Sequence, residues 1–336
     1  MSQSKKISFA AAALLVLCAA YAGLTWQQKQ SAGRALQEAE SARVYVTDFG
    51  DVTGIAIENG DARLDFVEDN GTWYYAQDRD CPIRQTTLTN LADQLAALPA
   101  TRKLENADEL ASYGLADPKI RFEITTGQQT PATLLIGNQV KAAGSSDIDQ
   151  APEEYYACIS GGSQVYTIDS SLAETAGKGL YDFIQTESLP TVSGADIRDI
   201  AITKEETTSH FVKKEVDGQG NIAWYRDAAD TEANRLPDNS QLNNLAQAVS
   251  GLSIRSCVNY NATDEELGSY GLETPVMTLT WTCRKDGKDI TTTLLIGSMN
   301  PEGTGYYVKL KDSKAVNLAG KENVDKVLNA DRKSVV

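Results

Sequence analysis

The chain has 336 residues, 41% of them hydrophobic and 23% charged, with a formal net charge of −15. Such a composition belongs to a folded protein and excludes a disordered one, and the length suits two domains of ordinary size. The charge repels phosphate backbones, and no cluster of Lys and Arg with interleaved aromatics offsets it, so nucleic acid is excluded as a partner.

Lys5 and Lys6 precede an uncharged apolar run from Ile7 to Trp26, so residues 1–26 read as an export signal. Three forms of it stay open. The run is long enough to span a bilayer, with Tyr21 and Trp26 placed as interfacial anchors and the lysines keeping the short end inside. Ala20-Tyr21-Ala22 also has the small-x-small form of a cleavage site, and Cys18 offers a lipid attachment point, although Leu17 stands where a small residue is usual. Each form places the body outside the cytoplasm, and the spanning helix is the reading taken. Residues 27–45, rich in Gln, Ala and Glu, follow as a polar stalk.

The body is a duplication, with one repeat over 46–190 and a second over 191–336. Each repeat begins with a hairpin. Arg63–Val67 and Thr72–Tyr75 flank Asp69-Asn70-Gly71, and His210–Lys214 and Ile222–Arg226 flank Asp217-Gly218, both turn sequences of tight hairpins. An amphipathic helix follows: Leu88, Leu91, Leu95 and Leu98 recur at helical spacing, and Leu242, Leu245, Val249 and Leu252 repeat the pattern behind Ser240 as N-cap. Next comes Glu109-Leu110-Ala111-Ser112-Tyr113-Gly114-Leu115 with Pro118, returning as Glu266-Leu267-Gly268-Ser269-Tyr270-Gly271-Leu272 with Pro275. Gly114 and Gly271 suit the left-handed position that stops a helix, and the prolines prevent its continuation.

Strand-like runs at Ile120–Thr125, Ala132–Ile136, Tyr155–Ile159 and Val165–Ile168 complete the first repeat, with a closing helix near Ser170–Ile184 and its counterpart at Lys321–Asn329. Thr133-Leu134-Leu135-Ile136-Gly137 recurs as Thr293-Leu294-Leu295-Ile296-Gly297, Trp73-Tyr74 as Trp224-Tyr225, and Tyr155-Tyr156 as Tyr306-Tyr307. The first repeat carries an insertion around Gly144–Pro152. Short connections between strands exclude parallel crossovers, so the fold class is α+β, two tandem repeats of a mainly antiparallel sheet packed with an amphipathic helix and a closing helix.

The elements E-L-x-x-Y-G-L-x-x-P, then L-L-I-G, then Gly305–Leu310 as G-Y-Y-V-K-L resemble the domain-of-unknown-function 4340 family, in two copies. The resemblance implies an N-terminally anchored envelope protein without established chemistry. It also implies association with membrane export systems of the ABC type that carry gliding-motility-like auxiliary subunits.

Chemistry is sparse. His210 is the sole imidazole, it has no counterpart in the first repeat, and no nucleophile motif surrounds it, so it reads as a surface residue. Gly137 and Gly297 are not followed by the lysine and hydroxyl of a P-loop. Asp147, Asp149, Glu153 and Glu154 form the densest acidic cluster, but their spacing is not that of a calcium loop, and no metal or other cofactor is expected. The four exported cysteines are too widely spaced for zinc, and their even number in an oxidising compartment suggests disulfides. Disulfides Cys81–Cys158 and Cys257–Cys283 are favoured among the three possible pairings, against four unpaired core thiols. Trp73, Tyr74, Trp224 and Tyr225 would line a sugar-binding face or the core.

The expected function is a non-enzymatic envelope scaffold that binds a protein partner, an ABC-type complex being the candidate. An envelope hydrolase using the acidic residues and a structural spacer are the alternatives.

Overall fold

A computed structural model describes residues 43–127, 131–140, 153–217, 221–226, 234–236 and 238–334. The apolar segment 1–26, the stalk to residue 42, and Asp147 and Asp149 lie outside the described residues. Among the described residues no helix is long and apolar enough to cross a membrane.

The chain is α+β, built on two antiparallel sheets of eight strands. The first contains β1 (Val52–Asn59), β2 (Ala62–Asp69), β3 (Thr72–Tyr75), β4 (Arg102–Lys103), β5 (Ile120–Thr126), β6 (Ala132–Gln139), β7 (Glu154–Ile159) and β8 (Tyr166–Asp169). The second contains β9 (Ile197–Lys204), β10 (Thr207–Glu215), β11 (Ile222–Arg226), β12 (Ile254–Asn259), β13 (Met277–Lys285), β14 (Lys288–Met299), β15 (Gly305–Leu310) and β16 (Val316–Gly320). The order β3-β2-β1-β5-β6-β7-β8-β4 becomes β11-β10-β9-β13-β14-β15-β16-β12 when every number is raised by eight. Duplication therefore extends from four motifs to the whole topology.

Between the third and fourth strand of each sheet lies the helix that the leucine spacing predicts, α1 (Gln85–Ala96) and α4 (Ser240–Ser250). Short helices α2 (Ser171–Ala176) and α3 (Leu180–Phe183) occupy the stretch expected to be one closing helix, which is interrupted at Gly177 and Gly179. Before the Tyr-Gly-Leu of the second repeat stands α5 (Asp264–Leu267), and α6 (Lys321–Ser334) closes the chain. By contacts the chain divides into two compact units, 1–63 with 91–177, and 64–90 with 178–336. The β2–β3 hairpin, apart from the start of β2, and the first half of α1 thus count with the second unit.

The second unit's core joins Leu242, Leu245, Val249 and Leu252 of the α4 region to Ile200, Leu279, Trp281, Leu294 and Ile296 of the sheet and to Val324 and Val327 of α6. Leu88, Leu91, Leu95 and Leu98 are buried likewise. Burying one such leucine contributes roughly 1.5 to 3 kcal/mol, so these faces, rather than helix propensity, hold the helices in place.

Two local expectations change. Ser240 is the first residue of α4 rather than its cap. Asp238 accepts hydrogen bonds from the Ser240 amide (2.8 Å) and hydroxyl (2.9 Å), and the preceding Asn239 accepts one from the Trp224 amide (3.1 Å). The carboxylate two residues earlier thus satisfies the Ser240 amide, one of the free donors of the helix's first turn. The Tyr-Gly-Leu signal, in turn, stops not α1 or α4 but a separate 3-10 turn, Leu110–Tyr113 or Gly268–Tyr270, with Gly114 (φ 71°) and Gly271 (φ 66°) left-handed as expected.

Candidate functional site

The repeat signatures converge within each repeat. A side chain on Gly137 would place its Cβ 2.2 Å from the Tyr113 carbonyl oxygen, and one on Gly297 would stand 2.3 Å from that of Tyr270. Both glycines lie where the pairing register slips, between Ile136 and Gln139 against β7 and between Ile296 and Met299 against β15. Such a bulge bends its strand locally, and in both repeats it falls where the Tyr-Gly-Leu turn approaches. The tyrosine of that turn then meets the second tyrosine of the Tyr-Tyr pair, Tyr113 with Tyr156 at 4.7 Å between ring centroids and Tyr270 with Tyr307 at 5.0 Å. Leu115 and Leu272 sit at the centres of two matching small cores, one holding Cys158 and Val165, the other Ala262 and Val316. Tyr113, Gly114, Leu115, Gly137, Tyr270, Gly271, Leu272 and Gly297 are thereby used in packing, and Pro118 and Pro275 follow the turn.

Among the described residues, those weighed for catalysis do not assemble. His210 on β10 pairs with Asp199 on β9 (2.8 Å), both partly buried. Glu154 accepts a hydrogen bond from Arg102 (2.9 Å) at the β4 edge. Among the described residues no group of three His, Cys, Asp or Glu could hold a metal ion. Of the aromatic pairs, Trp73, Trp224 and Tyr225 are buried, while Tyr74 carries the Arg79 guanidinium 4.0 Å above its ring.

Cys81, Cys158, Cys257 and Cys283 are buried and free, so neither expected disulfide is made. Cys257 on β12 and Cys283 on β13 are separated by β14, β15 and β16. Four strand spacings amount to about 19 Å, far beyond the reach of a disulfide of about 7 Å between Cα atoms. Cys158, on β7, belongs to the small core around Leu115.

A cleft that sequence motifs did not announce lies in the second unit. It has a volume of about 230 Å³ and is lined by Ala195, Asp196, Arg198, Lys213, Lys214, Glu215 and Ile222. Three features of the chain build it. The 3-10 turn Gly194–Asp196, held by the Ser193 hydroxyl accepting from the Ala195 amide (3.2 Å), presents the Ala195 carbonyl, which receives the Lys213 ammonium at 2.9 Å. Arg198 is the unpaired residue of a bulge, because Ile197 faces Cys283 while Asp199 faces Thr282. Lys213 stands directly across the hairpin from Trp224, with its Nζ 5.5 Å from the ring centroid. Burial lowers the Lys213 pKa, with Asp196 opposing and Arg198 reinforcing the shift. Ile222, at 55% exposure, forms an apolar wall.

Register identifies the first-repeat counterparts. Glu68 faces Trp73 as Lys213 faces Trp224, so Lys214 corresponds to Asp69. The bulge of β1 falls on Thr53, between Val52 and Gly54, where β9 has Arg198. Three cationic positions of the second repeat are thus a hydroxyl and two carboxylates in the first. Arg198 was hard to find from sequence because a bulge carries no period-2 signature. The Lys213-Lys214 pair, by contrast, was visible once the repeats were aligned on their tryptophans.

The family described as Domain of unknown function (DUF4340) matches residues 73–236 and 224–335. No curated protein and no solved structure matches the chain.

Proposed function

This chain belongs to the DUF4340 family, and on that premise we propose that it is a non-catalytic binding module of the bacterial envelope, which engages an acidic segment of a protein partner through the Lys213 cleft. The observation that carries the reading is the inversion of charge between equivalent positions: Arg198, Lys213 and Lys214 against Thr53, Glu68 and Asp69. Packing explains what the repeats share, so a difference that packing does not require points to a contact made by one of them. A volume of about 230 Å³ is below the roughly 300 to 1,000 Å³ of small-ligand sites and fits one or two side chains of a partner. In a chain of net charge −15, Arg198, Lys213 and Lys214 outnumber Asp196 and Glu215 in the lining of this cleft, which favours an anionic group there. Ile222 supplies apolar area beside them.

The wider setting is proposed on the N-terminal run. Residues 7–26 anchor the chain in the membrane, the polar stalk holds the repeats outside, and the partner is a subunit of an ABC-type export complex. A photo-crosslinking residue in place of Ile222, in membranes of the producing cell, is expected to give a discrete adduct that disappears when Lys213→Glu and Lys214→Asp install the first repeat's residues. An adduct that survives that exchange overturns the cleft as the contact. Alkaline carbonate extraction checks the anchor: the full chain stays with the membrane pellet, and its release would overturn the tether.

A further inference from the structure

Two of the four free thiols share one polar cluster inside the second unit, and the strands and turns that place them do so from two directions. Backbone hydrogen bonds tie the segment after β3 to the end of α3: the Arg84 amide donates to the Phe183 carbonyl (2.8 Å) and the Gln185 amide to the Pro82 carbonyl (2.6 Å). Cys81 is therefore fixed beside residues 183–185. Two residues on, Glu187 accepts from the Asn317 amide group (2.8 Å), and Asn317 is the direct cross-strand partner of Cys257. The same short segment thus borders both cysteines. A second link runs through Tyr260, which follows Cys257 by three residues. Its hydroxyl donates to the Asp78 carboxylate (2.8 Å), and the Asp78 carbonyl accepts from the Cys81 amide (3.2 Å). Its ring lies 6.2 Å from that of Tyr181 on α3.

We infer that Cys81 and Cys257 are the cysteines of this chain that form a disulfide, a pairing that links the loop before α1 to the edge strand β12. The bond is made by thiol–disulfide exchange with a disulfide-bearing oxidant. Cys81 and Cys257 lose two protons and two electrons in forming their S–S bond, and the oxidant's disulfide is reduced to two thiols. The chemistry also sets when it happens. Burial, then Asp78 and the Cys257 thiol, push Cys81 up to about 11 against an opposing hydrogen bond from Tyr260; burial, then Glu187, push Cys257 up to about 11. Only the thiolate attacks a disulfide, and at neutral pH such groups hold on the order of one thiolate in ten thousand. With exposures of 4% and 8% as well, the pair reacts while the chain folds and is sealed once it has folded. Of the other two described thiols, Cys283 is directed at the Ile290 carbonyl within the main core, and Cys158 lies in the small core around Leu115.

The test uses the full chain purified under reducing conditions, denatured, and refolded in a mixture of reduced and oxidised glutathione. Free thiols are then alkylated and the protein digested without reduction. The expected product is a linked peptide pair containing Cys81 and Cys257, with Cys158 and Cys283 alkylated after unfolding. The folded, reduced protein exposed to the same oxidant is expected to acquire that link at least a hundredfold more slowly. Recovery of alkylated Cys81 and Cys257 after oxidative refolding, or of Cys81 or Cys257 joined to a different cysteine, overturns the inference. Equal rates for folded and refolding protein would overturn the account of when the bond forms. No variant is needed, so failure to fold cannot disguise the result.

Discussion

Across the β2–β3 hairpin Glu68 faces Trp73, and across the β10–β11 hairpin Lys213 faces Trp224, in sheets whose strand orders are otherwise the same. The buried tryptophan is kept and the residue beside it changes sign. The two repeats therefore separate what the fold requires from what it tolerates. The tolerated differences include the hairpin edge and the β6–β7 and β14–β15 connections, where the first repeat carries its insertion. In the second repeat that connection is a short turn organised by Asn300, whose Oδ1 accepts from the Thr304 and Gly305 amides, both at 2.9 Å.

If the two repeats rest on equivalent interactions, paired substitutions must act alike, and the sharpest pairs come from their helices. Leu88→Ala and Leu242→Ala remove side chains that are 0% and 2% exposed. Each is expected to lose about 2 to 5 kcal/mol in urea unfolding of the full chain. A loss below about 1 kcal/mol in either would break the equivalence. Next come Gly137→Ala and Gly297→Ala, in which the new methyl group overlaps a tyrosine carbonyl. A cost of about 1 to 3 kcal/mol is expected in both, since the contact is with backbone that cannot swing aside. An unchanged melting temperature in both would show that the bulge relaxes and that the glycine is not required.

The smallest effect sharpens a difference. The Glu266 carboxylate accepts from the Thr263 amide (2.8 Å) and hydroxyl (3.1 Å) at the start of α5, whereas the corresponding Glu109 makes no capping hydrogen bond. The Thr263 amide, then its hydroxyl, hold the Glu266 pKa below the ordinary glutamate value. A depressed folded pKa means stability that is present above the unfolded value, about 4.3, and lost as pH falls through the folded one. Glu266→Gln should therefore narrow its stability gap to the parent protein as pH drops from 6 to 3. A gap that stays constant over that range would sink the capping role of Glu266.

Much of this architecture is written in local sequence. The Asn70-Gly71 turn, with φ of 54° and 78°, is the hairpin that its sequence demands. The two helices stand where their leucines recur. What alternation passes over is β1 and β9, interior strands that stand third in each sheet's order. Ile55, Ala56 and Ile57 are all buried, so β1 has no polar face to alternate with, and the bulge at Arg198 breaks the period of β9. The disulfide pairing failed for a related reason. Closeness along the chain puts Cys257 near Cys283, but the strand order separates them across most of a sheet. The cleft was hidden because its pieces come from a turn, a bulge and a hairpin, none of which has a motif.

That strand order has a consequence for synthesis of the protein. In the second sheet, β12 pairs only with β16, which is the last strand to be made, and every strand from β13 to β15 must be laid down between them. A ribosome that has released residue 310 has produced β12 without its partner. The edge is therefore sealed only once β16 has been made, and chains truncated before Val316 should be the ones that chaperones must shield from pairing with one another.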